Sequence, residues 1–199
     1  MKIKFSIIAI ACLFACCLVS VSCGGGLTVD VPVDEISIEL NDILVSAPAA
    51  APAKDAAADD ALNRFDAEKT VNINDLGGIG SLTDHLSTIQ SVSVGNVTVA
   101  ITDESGEGTI VNNFLLSAKG FTKSVSIAEY NLGTPISGNA DMLAFASEFL
   151  VKMFVNNLQE VTFTVSGYTD VPSGEKLYIT IKMGNLVFKA KALDVIKAL

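Results

Sequence analysis

Apolar residues recur at every second position through most of the chain beyond residue 26. The clearest runs are 27–33, 161–165 and 177–183. A period of two places alternate side chains on opposite faces of a β-strand, one face buried and the other solvated. Several such runs, separated by short turns and not continuously apolar, are typical of antiparallel sheets. The sequence therefore predicts a mainly β fold, in the form of an antiparallel β-sandwich.

The alternation changes parity at three places, which are Asp34–Glu35, Gly95–Asn96 and Gly184–Asn185. A slip of one residue moves every following side chain to the opposite face, so the backbone must adjust there. The first slip predicts a bulge, a bend or a break between two strands within 27–46, the N-terminal strands that we expect to pack with the main domain. The third predicts either a tight hairpin or a bulge in one long bent strand.

Three polar stretches predict connections between strands. DESGEG at 103–108 is expected to be a hairpin loop, and VPSG at 171–174 a turn. Residues 47–69 are rich in Ala, Pro and Asp and predict a linker or loop, whose later part, 54–65, can form a short helix. The larger β-rich domain is then expected to span 70–199.

One segment, 139–157, has the period of a helix instead. Asn139 is placed as an N-cap, and Glu148 and Lys152 are spaced for an ion pair on a narrow polar stripe. Most of the remaining circumference is apolar, which predicts a long helix buried on more than one side. Apolar residues at helical spacing usually belong to a core. The alternative is a pocket for an apolar ligand. Its lining residues would be Met142, Phe145, Phe149 and Met153.

The N-terminus has the layout of a secretory signal, which we expect to be helical and cleaved. Lys2 and Lys4 precede an uncharged apolar stretch, 5–19, that is too short to span a membrane comfortably. All four cysteines lie within the first 23 residues, and small residues precede the last of them, Cys23. This arrangement resembles the lipobox of bacterial lipoproteins, although Ser20 stands where that pattern usually has Leu.

The resemblance implies a signal peptide at 1–22, cleavage between Ser22 and Cys23, and attachment of a diacylglycerol to the Cys23 sulfur. Two or three acyl chains hold a protein stably at a membrane, whereas one chain does so only marginally. The lipidated cysteine and the three glycines after it would form a flexible tether, 23–26. A plain secreted protein and an uncleaved N-terminal anchor are the alternatives.

The general layout of the chain resembles that of single-domain envelope lipoproteins of Gram-negative bacteria, Bacteroidota in particular. The residue after Cys23 is Gly24 and not Asp, which implies the outer membrane with the domain facing the periplasm, while exposure at the cell surface stays open. Cleavage before Cys23 would remove the other three cysteines. We therefore expect no disulfide framework and no cysteine metal site.

The charge of the chain bears on its partners. It has 13 basic and 22 acidic residues, and cleavage before Cys23 would leave 11 basic and 22 acidic residues, a net charge of −11. Such a surface repels nucleic acid and does not attract anionic lipid headgroups. We therefore expect contact with the membrane through the lipid on Cys23, an envelope protein as a partner, and no nucleic acid.

Residues for a catalytic or cofactor site are not evident. His85 is the only histidine, and its sequence neighbour Asp84 does not face it on a helix. No serine lies in G-x-S-x-G, and the acidic loop 103–108 does not match a calcium-binding pattern. We expect no enzyme, no cofactor and no metal. The expected function is a non-catalytic interaction or structural module. The alternative is a binder or carrier of an apolar small molecule or lipid beside the helix at 139–157.

Overall fold

A computed structural model describes residues 19–20, 28–48, 62–79, 82 and 87–191. Strands predominate, so the predicted mainly β character is confirmed. The strands are β1 (Val19–Ser20), β2 (Thr28–Ser46), β3 (Asn63–Asn72), β4 (Ile89–Ser93), β5 (Asn96–Asp103), β6 (Ile110–Ala118), β7 (Val125–Asn131), β8 (Ile136–Ser137), β9 (Glu160–Thr169) and β10 (Lys176–Lys191). The helical elements are a 3₁₀ turn (Ile73–Asp75), α1 (Ala140–Leu150) and a π-helical turn that continues α1 (Val151–Val155).

Several sequence predictions concern residues outside these ranges. They include the cleavage site before Cys23, the tether at 23–26, most of the signal peptide, and His85. Of the predicted signal peptide, the structure describes Val19–Ser20 as β1, which pairs antiparallel with the first residues of β2.

The ten strands of the described residues form one antiparallel sheet in the order β7-β6-β9-β3-β2-β10-β5-β8, with β1 beside β2 and β4 beside β10. The sheet is curled into a half-barrel, and a sandwich of two sheets is not confirmed. The 19-residue strand β2 explains the difference, because it pairs with β10 along most of its length and with β3 at its C-terminal end. It thereby joins both halves into one continuous sheet.

The three predicted parity slips lie on one line across neighbouring strands. Gly184 in β10 pairs with Glu35 of β2 on one side and with Asn96 at the start of β5 on the other. The register between β2 and β10 is the same on both sides of this line. β2 and β10 are therefore each one continuous strand through this line, and the hairpin alternative at the third slip is wrong. The second slip lies where β4 ends and β5 begins. We call this line the crease and define it as Asp34–Glu35, Gly95–Asn96 and Gly184–Asn185.

Two predicted connections differ from the structure. Residues 63–69, which the sequence places in the linker 47–69, belong to β3, and β3 pairs with β9 along all ten of its residues. The outward side chains of β3 are polar, most of them charged, and only Phe65 and Val71 are buried, so its alternation is weak. The loop 103–108 is not a hairpin loop, because β5 and β6 do not pair with each other and lie in different halves of the sheet.

The helix predicted at 139–157 is confirmed, but it is slightly shorter than predicted. Its N-cap is Asn139, whose side-chain oxygen accepts a hydrogen bond of 3.0 Å from the backbone N–H of Met142. The helical backbone ends at Val155 instead of 157. Asn157 has a φ of 57°, a left-handed conformation that stops the helix.

The two edges of the half-barrel are joined at one end. The buried side chain of Tyr130 in β7 accepts a hydrogen bond of 2.8 Å from the backbone N–H of Ile101 in β5. The N–H of Gly133, just after β7, donates to the carbonyl of Ile101 at 2.9 Å. α1 contacts both β5 and β7, so the helix lies across the opening between these edges.

Candidate functional site

The start of α1 is fixed against β5. The N–H of Gly138 donates to the carbonyl of Val97 at 2.6 Å, and a Cβ at residue 138 would lie 3.0 Å from that same oxygen. Glycine therefore allows the chain to approach β5 closely just before the helix begins. The Asn139 cap then sets the first turn, and the apolar face of α1 points to the concave side of the sheet.

All four residues of the predicted apolar pocket are buried. Met142, Phe145, Phe149 and Met153 each expose 3% of their surface or less. The rings of Phe145 and Phe149 lie 6.2 and 5.8 Å from the ring of Phe163 in β9, measured between centroids. These contacts make the helix part of the main core.

A small apolar cavity remains between α1 and the sheet. Its volume is about 10 Å³, which is room for about one water molecule. Typical ligand sites have volumes of about 300 Å³ or more. Of the predicted pocket residues, Met142, Phe145 and Phe149 line the cavity and Met153 does not. The other lining residues are Ile38, Val97, Val99, Leu116, Val125, Ala146, Ile181 and Met183. The helix itself therefore fills the space that a ligand would need.

One carboxylate ties the C-terminal half of α1 to the turn between β6 and β7. Glu148 accepts hydrogen bonds from the N–H of Thr122 at 2.9 Å, the N–H of Lys123 at 3.0 Å and the Thr122 hydroxyl at 3.0 Å. Partial burial raises the pKa of Glu148. The hydrogen bonds and the nearby Lys152 outweigh this effect, so the pKa lies below its ordinary value of 4.5. We call Glu148, Thr122 and Lys123 the latch.

A cation and an aromatic ring lie beside the latch. The Nζ of Lys152 is 3.9 Å from the Glu148 carboxylate, which confirms the predicted ion pair, and 5.4 Å from the centroid of the Phe121 ring. The Phe121 ring in turn lies 5.5 Å from that of Phe145. Sequence reasoning found Glu148 and Lys152 through their helical spacing. It missed Thr122, because the turn that contains it carries no local motif pointing to α1.

Two further carboxylates with lowered pKa values hold loops in place. Asp170 accepts hydrogen bonds from the N–H groups of Thr109 at 2.8 Å and Ile110 at 3.0 Å, and Asp103 accepts one from the N–H of Gly108 at 3.1 Å. Partial burial raises the pKa of both, but hydrogen bonds outweigh it and keep each pKa below 3.8. These backbone contacts account for the shifts and indicate structural roles.

Among the residues that the structure describes, no three His, Cys, Asp or Glu side chains lie together as possible ligands of one metal ion. The same part of the chain contains no helix with the length and hydropathy that a membrane crossing requires. The predicted lipidation residue Cys23 and its neighbour Ser22 lie outside that part. No protein-family model matches the chain, and no curated protein sequence is significantly similar to it.

Proposed function

We propose that the chain is a lipid-anchored lipoprotein of the cell envelope whose folded domain is a non-catalytic interaction or structural module. The observation that carries this proposal is the filled interior of the half-barrel. Met142, Phe145 and Phe149 of α1 occupy the concave side and leave a cavity of about 10 Å³. Because the interior is filled, the domain would bind an envelope protein through its outer surface. The cysteine at position 23, followed by three glycines, supports the anchor and the outer-membrane location.

The anchor is tested by replacing Cys23 with Ala in the full chain. Wild-type protein is expected to incorporate labelled palmitate and to partition with membranes, and the Cys23→Ala variant is expected to do neither. Cys17→Ala, a change within the predicted signal peptide, is the matched control and should behave as wild type. A Cys23→Ala variant that is still labelled and membrane-bound would overturn the proposal.

A second candidate function is the binding or transport of an apolar small molecule or lipid beneath α1. The specific observation in its favour is that α1 lies across the opening of the half-barrel with Met and Phe side chains facing inward. Methionine adapts to irregular apolar surfaces. An outward movement of α1 would expose an apolar cleft lined by Leu116, Val125 and Ile181 of the sheet.

Native mass spectrometry after gentle extraction tests the second function. An apolar molecule is expected to accompany the wild-type chain and to be lost in Phe149→Asp. Leu115→Asp is the matched control, because Leu115 is 42% exposed. It should retain the ligand, and circular dichroism would verify that both variants fold. A wild-type chain that carries no such molecule and captures none from added lipid would exclude this function.

A further inference from the structure

The latch has the composition of a carboxylate-binding site. Two successive backbone N–H groups and one hydroxyl, from Thr122 and Lys123, converge on the same carboxylate at distances of 2.9 to 3.1 Å. The donors belong to the turn between β6 and β7, whereas the acceptor, Glu148, belongs to α1. The turn is therefore a receptor for a carboxylate that a separate element of the fold supplies.

This receptor borders the apolar cavity under the helix. Val125, two residues after Lys123, lines the cavity from the sheet, and Phe145, three residues before Glu148, lines it from α1. The Phe121 ring covers the same boundary, because it contacts Phe145. A carboxylate held at the turn is thus adjacent to a surface that is entirely apolar.

A cation lies beside the receptor, although the chain as a whole has a net charge of −9. Lys123 contributes its backbone N–H to the receptor. The Nζ of Lys152 lies 3.9 Å from the bound carboxylate. A ligand with an anionic head and an apolar tail matches this arrangement in both parts.

We propose that the latch is the headgroup site for a long-chain carboxylate, and that Glu148 occupies it in the absence of ligand. The proposal rests on the second function above, the binding of an apolar molecule beneath α1. When the helix moves outward, the ligand's carboxylate takes the hydrogen bonds of Glu148 and its hydrocarbon chain takes the space of Phe145 and Phe149. Glu148 and the ligand therefore compete for the same donors.

Competition of this kind predicts opposite effects for the two sides of the latch. Removing Glu148 vacates the donors and strengthens binding of a carboxylate. In a chain that lacks Glu148, removing the hydroxyl of Thr122 takes away a donor and weakens this binding. An uncharged ligand with the same chain is insensitive to the second change, because it brings no charge to the receptor.

The test measures the affinities of hexadecanoate and hexadecan-1-ol for the full chain, purified in a non-ionic detergent, by equilibrium dialysis. The variants are Glu148→Ala and Glu148→Ala combined with Thr122→Val. The matched control is Asp141→Ala, which removes another acid of α1. We expect Glu148→Ala to raise the affinity for hexadecanoate about tenfold, and the added Thr122→Val to lower the ratio of hexadecanoate affinity to hexadecan-1-ol affinity about fivefold. Asp141→Ala should leave both the hexadecanoate affinity and the ratio unchanged.

The outcomes separate the two claims. If neither compound binds to any variant, the apolar-binding function fails and the headgroup site fails with it. If both compounds bind with one constant ratio in all variants, the binding function stands and the headgroup site is wrong. Should Glu148→Ala not fold, Thr122→Val alone decides the question. Glu148 and hexadecanoate then lose the same hydrogen bond, whereas hexadecan-1-ol displaces a weaker Glu148 contact, so the ratio is expected to fall about threefold.

Discussion

Gly95 and Asn185 face each other within the crease, so closely that a Cβ on residue 95 would lie 2.8 Å from the Cβ of Asn185. The same relationship recurs in reverse, because Gly184 lies against the side chain of Asn96. The N–H of Gly95 donates to the carbonyl of Gly184 at 3.1 Å. Two Gly-Asn pairs on adjacent antiparallel strands therefore interlock, and each glycine makes room for the other strand's asparagine.

The two glycines are expected to differ in their tolerance of alanine. In Gly95→Ala the new methyl group meets the Cβ and the backbone oxygen of Asn185, which cannot rotate away. We expect a loss of about 2 kcal/mol in the free energy of unfolding. In Gly184→Ala the nearest atom is the end of the Asn96 side chain, which can turn aside, and the expected loss is below about 1 kcal/mol. Urea denaturation measures both, and equal losses would contradict this account of the crease.

Tyr130→Phe tests the junction between the two edges of the half-barrel. The variant keeps the ring but leaves the buried N–H of Ile101 without its 2.8 Å partner. We expect the free energy of unfolding to fall by about 1–3 kcal/mol. Tyr168→Phe is the matched control, because Tyr168 is 37% exposed, and its effect should stay within about 0.5 kcal/mol. Equal effects of the two changes would mean that the junction does not contribute to stability.

The latch makes stability depend on pH in the acid range. Because folding lowers the pKa of Glu148, its contribution is fully present above the ordinary value of 4.5 and is lost as the pH falls through the lower pKa of the folded state. Glu148→Gln should therefore be less stable than wild type at pH 7. The difference in stability between the two proteins should shrink below about pH 4.5. Thermal unfolding from pH 7 to 3 measures it, with Asp141→Asn as the control. A difference that stays constant to pH 3 would contradict this role of the carboxylate.

Phe149→Ala tests whether α1 is an integral part of the core. Phe149 is fully buried against Phe163, so its truncation is expected to cost about 3–5 kcal/mol of unfolding free energy. Phe121→Ala is the control, because Phe121 is only partly buried, and its expected cost is about 1 kcal/mol. Denaturant titration compares the two. If Phe149→Ala costs no more than Phe121→Ala, the helix does not stabilise the core as its contacts indicate.

The features that the sequence predicts correctly are local in origin. The alternation in β9 and β10, and the Asn139 cap of α1, depend on residues a few positions apart. Residues 63–69 of β3 are not predicted as a strand, because the outward residues are mostly charged and little of the inner face is strongly apolar. The alignment of the three parity slips depends on pairing between distant strands, which a single sequence does not reveal. The latch joins Glu148 to Thr122 across 26 residues, and no short-range pattern encodes that contact.

The pairing of β2 with β10 also determines the order in which the sheet folds. Thr28 at the start of β2 pairs with Lys191 at the end of β10, although 162 residues separate them in the sequence. A polypeptide that emerges N-terminus first has no partner for most of β2 until nearly all of the sequence is present. Closing so long a loop is slow. The middle of the sheet therefore assembles late, and β2 lacks this neighbour, with its risk of wrong pairing, until β10 is present.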